Sequence, residues 1–201
     1  MLVVTLALTI LSFTNSGVLT PMMDAEFQRQ GEIAMRKNPQ ITTEQMESMR
    51  GVTEKIQKFG LVVIIPLTIF IVGFMTWVVA KLVDSRQELH AALVVAAYSQ
   101  VPRVIQGILM GVQGLLMKPE QLNSRFSLDI GPARFFDPDA TSPVLLAMLN
   151  RFDLFTIWVT ILLAVGVYAT GRVSKRNAAI AGVLFWVVGS IPALLQALGA
   201  S

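Results

Sequence analysis

The sequence has no cysteine, one histidine and few charged residues. Of its 201 residues, 14% are charged and 54% are hydrophobic, whereas soluble domains carry about 25% charged residues. The absence of cysteine excludes disulfides, thiolate metal sites and cysteine nucleophiles. The shortage of charge excludes a water-soluble globule of this size, because its surface would lack the polar groups it needs. The chain is therefore expected to lie in a lipid bilayer.

Long stretches without charge predict the membrane-spanning helices. A hydrocarbon core about 30 Å thick requires about 20 residues of helix, and an open strand in lipid would leave backbone polar groups unpaired. The sequence predicts five spans: residues 1–20, 59–81, 91–117, 153–172 and 177–199. We therefore predict an all-α fold, a polytopic transmembrane helical bundle that forms a single domain over residues 1–201.

The first apolar stretch has two interpretations, a signal peptide or a retained helix. It lacks a basic n-region and a convincing small-residue cleavage site, which favours the retained helix. The segment after it carries helix signals: Thr20 precedes Pro21, and Thr42 with Gln45 resembles a capping box. We predict an extracytoplasmic helical hairpin between spans 1 and 2, continuous with both.

Basic residues in the short loops predict the orientation. Five spans place loops 81–90 and 172–176 on one side of the membrane. The second loop contains three cations and no acid, namely Arg172, Lys175 and Arg176. In the long connections acids and bases nearly balance. The short loops and the N-terminus are therefore predicted to be cytoplasmic, and the C-terminus outside.

Asp153 opens the fourth span at its predicted outer end. The unpaired N–H groups of a helix N-terminus favour an acid there, so the first interpretation is a helix cap. A buried functional carboxylate is the alternative. Trp158 and Tyr168 lie a little inside each end of this span, where interfacial aromatic residues anchor a helix.

The third span is unusually polar, because it contains Arg103 and three glutamines. An intramembrane arginine is a candidate functional residue. The alternative is that residues 86–101 lie along the cytoplasmic interface and Pro102 turns the chain inward, so that Arg103 reaches the headgroups. On either interpretation Arg103 faces protein or water rather than lipid. The glutamines are Gln100, Gln106 and Gln113.

Three glycines of the third span, Gly107, Gly111 and Gly114, lie on roughly one helix face. Small residues at this spacing allow another helix to approach closely. In a multi-span protein such a face favours internal packing over a dimer seam.

No residue pattern indicates a metal site or a catalytic centre. His90 falls in a short polar loop and is interpreted as solvated. The methionines of the predicted hairpin are irregularly spaced and no histidine accompanies them, which argues against copper binding. They are Met22, Met23, Met35, Met46 and Met49. The pair Asp137 and Asp139 is explained better by a capped turn than by a cation site. The sequence contains none of the hydrolase, phosphate-loop or zinc motifs. We therefore expect no metal, no cofactor and no enzymatic activity.

Several stretches together resemble the bacterial branch of the Yip1 domain family. They are "ALVVAAYSQVPRVIQGIL", "LNRFDLFTIW" and the basic "GRVSKRNAA". The resemblance extends over nearly the whole chain and implies a polytopic helical protein of the bacterial cytoplasmic membrane, commonly of five spans with a cytosolic N-terminus. These stretches contain the candidate functional or packing residues Tyr98, Gln100, Pro102, Arg103, Asp153 and Trp158.

Three functions agree with this sequence. The favoured one is a non-catalytic scaffold, assembly or trafficking factor, whose partners are the lipid bilayer and either other membrane proteins or a second copy. The alternative is a small transporter or permeation subunit that uses the polar third span. The third is a membrane-embedded enzyme that uses Asp153 or the pair Asp137 and Asp139. Nucleic acid is not an expected partner, because the net charge is only +3 and the cations are not clustered.

Overall fold

The computed structural model describes residues 24, 27, 28, 31, 32, 34–36, 43–117 and 126–200. Within these residues every regular element is helical. The elements are α1 (Thr43–Leu82), α2 (Leu89–Ser99), α3 (Val101–Leu116), a 3₁₀ helix (Pro132–Phe135), α4 (Pro143–Asn150), α5 (Leu154–Gly171) and α6 (Lys175–Ala200). The predicted first span and most of the first arm of the predicted hairpin lie outside the described residues.

Four described segments are long and apolar enough to cross a bilayer. They are Val63–Leu82, Leu89–Gly114, Leu154–Gly171 and Lys175–Gly199, and they coincide with predicted spans 2 to 5. The prediction of an all-α polytopic bundle is therefore confirmed. Helix α1 begins at Thr43, so about 30 Å of helix precedes its apolar segment at 1.5 Å per residue. The second arm of the predicted hairpin thus continues directly into span 2, while the hairpin itself remains a prediction.

The third span consists of two helices that meet at Gln100. This residue keeps a near-helical backbone (φ −82°, ψ −5°), and Pro102 lies in the first turn of α3, where its missing N–H is not needed. Helix α2 packs against α1 and α5. Its buried residues are Ala92, Ala96, Ala97 and Ser99. The packing places α2 inside the bundle, so the alternative of an interfacial helix over residues 86–101 does not agree with the structure.

His90 lies in the first turn of α2 and is exposed. The prediction that it belongs to a loop was wrong, because the helix begins at Leu89, directly after the turn that follows α1. The prediction that it is solvated agrees with its exposure.

Two glycines bring the neighbouring helices close to α2. A Cβ at Gly73 of α1 would lie 2.9 Å from the backbone Cα of Leu93, and a Cβ at Gly166 of α5 would lie 2.1 Å from Cγ1 of Val95. Neither position leaves room for a larger side chain, which is the usual reason for glycine at contacts between membrane helices. Helix α2 is therefore held between α1 and α5.

The two short loops meet at one end of the bundle. The backbone N–H of Arg86 donates to Gly171 O at 2.9 Å, and Ser85 Oγ donates to the same oxygen at 3.3 Å. From α6, Asn177 Nδ2 donates to Val83 O at 3.2 Å. This contact favours glycine at position 171, because a Cβ there would lie 2.1 Å from Ser85 Oγ and displace it from its hydrogen bond. We call this end the loop end.

Asp153 and the α4–α5 turn lie at the opposite end, which we call the Asp153 end. Helix α5 has 18 residues, so about 27 Å separates its two ends at 1.5 Å per residue. This length agrees with one crossing of a hydrocarbon core about 30 Å thick. Asp153 and Lys175 therefore lie at different depths, as the predicted topology requires.

Candidate functional site

Asp153 is the N-cap of α5. Its Oδ2 accepts hydrogen bonds from the backbone N–H of Thr156 at 2.9 Å and from Thr156 Oγ1 at 3.2 Å. A carboxylate at this position satisfies a free helix N–H and interacts favourably with the helix dipole. Asp153 is only 2% exposed, so it is a buried acid as well as a cap. The structure thus combines the cap of the first interpretation with the burial of the second, while a functional role of this carboxylate stays a prediction.

Arg103 of α3 reaches across to this cap. Its Nη1 lies 3.6 Å from Asp153 Oδ2, and its Nη2 donates to Thr156 Oγ1 at 3.0 Å. Its Nη1 also donates to Gln106 Oε1, one turn further along α3, at 2.6 Å. Thr156 thus joins the two charged groups, because its hydroxyl accepts from Arg103 and donates to Asp153. The Arg103 side chain is 33% exposed, so the pair is buried on the acid side and partly accessible on the basic side.

A second arginine ties the turn before α5 to α6. Arg151 Nε donates to Ser190 Oγ at 2.9 Å, and Nη2 donates to Trp186 O at 3.1 Å. The Trp186 indole N–H donates back to Arg151 O at 3.1 Å. Burial of Arg151 lowers the pKa of its guanidinium, and the positive charge of Arg103 lowers that pKa further. Four helical elements are therefore joined at this end by polar contacts.

The segment before α4 covers the cap. The backbone N–H of Leu154 donates to Ile130 O at 3.3 Å. A Cβ on Gly131 would lie 3.0 Å from the Asp153 Cα, so this close approach favours glycine. Phe126 and Ala133 are buried against Leu146 of α4 and hold the segment in place. Asp153 is buried because this segment folds over the start of α5.

Two buried acceptors, one at the start of α5 and one near the C-terminal end of α3, have no hydrogen-bond donor among the described residues. They are Oδ1 of Asp153 and Oε1 of Gln113. A buried acceptor without a donor costs about 1–3 kcal/mol. At the loop end, Gln87 Oε1 has the same property.

The other predicted site residues do not join this cluster. Tyr98 is 72% exposed near the end of α2, and Gln100 and Pro102 form the junction between α2 and α3. Trp158 stacks on Phe155 of its own helix at 6.4 Å between ring centroids. Gly107, Gly111 and Gly114 are half-buried, and the choice between internal packing and a dimer seam stays open. Arg172, Lys175 and Arg176 are exposed at the loop end.

The acidic turn has the conformation that the sequence indicates. The Asp139 N–H donates to Asp137 Oδ1 at 2.9 Å, which is the side-chain to backbone bond of an Asx turn. Within the described part of the chain, no three histidine or acidic side chains come together as metal ligands do.

Sequence reasoning missed Arg151, Trp186 and Ser190. The available signal was weak: Trp186 and Ser190 lie one turn apart in the apolar middle of the last helix, and both have a polar tip. Arg151 precedes Asp153 by two residues and carries no local signal, because its partners belong to a helix that begins only at Lys175.

The family model of the Yip1 domain matches residues 1–195. This chain belongs to the Yip1 domain family. The resemblance that the sequence motifs indicated is thus confirmed, and so is the integral membrane character that it implied.

One curated relative is the membrane protein YknW of Bacillus subtilis (strain 168). It is 23% identical over 154 residues, which cover 73% of this chain and 60% of that protein. The chain thus spans about three fifths of the length of this relative. No solved structure matches the chain. The relative is a bacterial membrane protein, in agreement with the fold.

Proposed function

We propose that this Yip1 domain protein is a non-catalytic scaffold that assists the assembly or trafficking of other proteins in the bacterial cytoplasmic membrane. The observation that carries the proposal is the internal use of Arg103. Its guanidinium makes described contacts with Gln106, Asp153 and Thr156, and all three belong to the same chain. A residue bound in this way stabilises a fixed arrangement of helices and leaves lipid-facing helix surfaces for partners.

The exposed apolar face of α1 is the surface we assign to such a partner. Its exposed residues are Val63, Leu67, Phe70 and Phe74, which recur every three or four positions and therefore form one stripe. Because α1 continues as a helix for about 30 Å before this stripe, the same helix offers contacts both inside and beyond the bilayer.

Site-specific photo-crosslinking in the native membrane tests this proposal. A photoreactive amino acid at Leu67 or at Phe74 is expected to give the same discrete adduct, since both residues lie on the α1 stripe. Ile191 and Leu195 of α6, which are also exposed, provide the matched control and are expected to give lipid adducts only. Absence of a protein adduct at both α1 positions, or equal adducts on α1 and α6, would overturn the proposal.

A second candidate function is a small transporter or permeation subunit. The specific observation in its favour is that Asp153 Oδ1 and Gln113 Oε1 are buried without a donor among the described residues, as acceptors that await a transported group would be. This function predicts flux of an ion or solute in proteoliposomes that is lost in Arg103→Leu and in Gln113→Leu. Flux that survives both substitutions, or no flux in the wild type, removes it.

We further propose that the loop end faces the cytoplasm. The support is the charge of loop 172–176, which carries three cations and no acid, because short basic loops remain on the cytoplasmic side. The Asp153 end then faces outward.

A further inference from the structure

A long groove runs between α5 and α6 on the surface of the bundle. Every third or fourth residue from Ile157 to Tyr168 lines it on α5, and the matching residues from Lys175 to Trp186 line it on α6. Its volume is about 550 Å³. We call it the α5/α6 groove.

The groove exists because small residues face each other at its floor. A Cβ on Gly182 of α6 would lie 3.1 Å from the Cβ of Ala164 on α5, so the two helices approach closely there. The bulkier Ile161, Val165 and Val183 form the rims and are exposed. The floor is thus narrow and apolar, and the walls are methyl groups.

The polar side chains that line the groove are Thr160, Tyr168, Lys175 and Trp186, and the Trp186 N–H, at the Asp153 end, already donates to Arg151 O. Thr160 contributes a hydroxyl part-way along, but its Oγ1 donates to the backbone oxygen of Thr156 at 2.8 Å. At the loop end the groove reaches Lys175, the first residue of α6. A ligand for this groove therefore needs a long apolar chain and an anionic group at the loop end.

The loop end has an excess of positive charge. Lys81 and Arg86 balance Asp84 and Glu88 in one short loop, whereas the other loop contributes three unbalanced cations. None of these three pairs with a carboxylate among the described residues. The N-terminus of α6 adds the partial positive charge of a helix dipole. An anion beside Lys175 is thus favoured by two sources of charge, the cations of loop 172–176 and the N-terminus of α6.

We propose that the α5/α6 groove binds an anionic phospholipid, with its phosphate at Lys175 and one acyl chain along the groove. The dimensions agree. The lining of α5 extends from Ile157 to Tyr168, about 16 Å at 1.5 Å per residue, and one leaflet of a bilayer contributes about 15 Å of hydrocarbon. The α5 side of the groove is therefore about as long as a single acyl chain.

Native mass spectrometry of the full chain tests the proposal. The chain is reconstituted in nanodiscs with equal amounts of phosphatidylglycerol and phosphatidylcholine of the same acyl composition, and the lipids retained after transfer to detergent are counted. We expect one phosphatidylglycerol to be retained in preference to phosphatidylcholine. Lys175→Gln should reduce this preference about fivefold, the effect of one cation at a membrane surface, and Lys175→Arg should keep it.

Lys81→Gln is the matched control, because Lys81 lies at the same end but does not line the groove. It should keep the preference. Ala179→Phe fills the groove from an exposed position and should abolish retention of both lipids, while the circular dichroism spectrum stays helical. Equal retention of the two lipids by the wild type overturns the proposal. An unchanged preference in Lys175→Gln, an equal loss in Lys81→Gln, or full retention in Ala179→Phe does so as well.

Discussion

Arg103 Nη1 of α3 lies 3.6 Å from Asp153 Oδ2 at the start of α5, and the Thr156 hydroxyl bonds to both residues. The two residues come from different helices, and the sequence marks each of them separately as unusual in a membrane chain. Their contact changes how each residue is interpreted. A lone intramembrane arginine suggests a pathway for ions or solutes, whereas an arginine held by an acid and two polar side chains acts as a link between helices.

The cap and the ion pair of Asp153 can be separated by two substitutions. Asp153→Asn removes the charge but keeps an acceptor that suits an N-cap, whereas Asp153→Ala removes both. We expect Asp153→Ala to be less stable than Asp153→Asn by about 1 kcal/mol, the usual value of a cap. Unfolding of the purified protein in detergent measures the difference. Equal stability of the two variants would show that the hydrogen bond to the Thr156 N–H contributes nothing.

The two glycine contacts of α2 predict different degrees of recovery by a compensating mutation. A side chain at Gly166 meets the methyl groups of Val95, whereas one at Gly73 meets the backbone of Leu93 as well as its side chain. Each glycine to alanine substitution should cost about 1–3 kcal/mol through overpacking. Adding Val95→Ala to Gly166→Ala should restore part of this stability. Adding Leu93→Ala to Gly73→Ala should restore little, because the backbone cannot move out of the way.

Thermal unfolding of these four variants provides the measurement. The idea that backbone contact distinguishes the two sites fails if both double variants recover to the same extent.

The absence of cysteine makes the topology directly testable. Single cysteines at Arg86 and Arg176, both exposed at the loop end, and at Ala140, exposed in the segment that precedes α4, should react differently with a membrane-impermeant maleimide in intact cells. We expect labelling at position 140 only, because the short basic loops face the cytoplasm. Permeabilised cells provide the control and should label at all three positions. Labelling of the loop-end cysteines in intact cells would reverse the proposed orientation.

The helices were predictable from the sequence, because long apolar runs permit few other structures in a bilayer. The cap at Asp153 and the turn at Asp137 were predictable for a related reason: each depends on residues a few positions away. The count of five spans also predicted that loops 81–90 and 172–176 lie at one end of the bundle, where Ser85 bonds to Gly171.

Tertiary contacts were not predictable in the same way. The pair of Arg103 with Asp153, and the bonds from Arg151 to Trp186 and Ser190, depend on how separate helices rotate and pack. Nothing in the local sequence fixes that rotation. Similarly, Gly166 showed no local signal, because its importance comes from Val95 on another helix.

The most direct test of the account is a double-mutant cycle on Arg103 and Asp153, read from unfolding in detergent. Because Asp153 is 2% exposed and the Arg103 side chain 33% exposed, the acid depends more on its partner than the arginine does. Arg103→Leu should therefore cost about 3 kcal/mol, the usual cost of leaving a buried charge unpaired, and Asp153→Asn clearly less.

In the double variant the remaining buried charge is gone, so we predict that Arg103→Leu with Asp153→Asn is more stable than Arg103→Leu alone. A double variant that loses the sum of the two single effects would contradict the account, since additivity means that the residues do not interact.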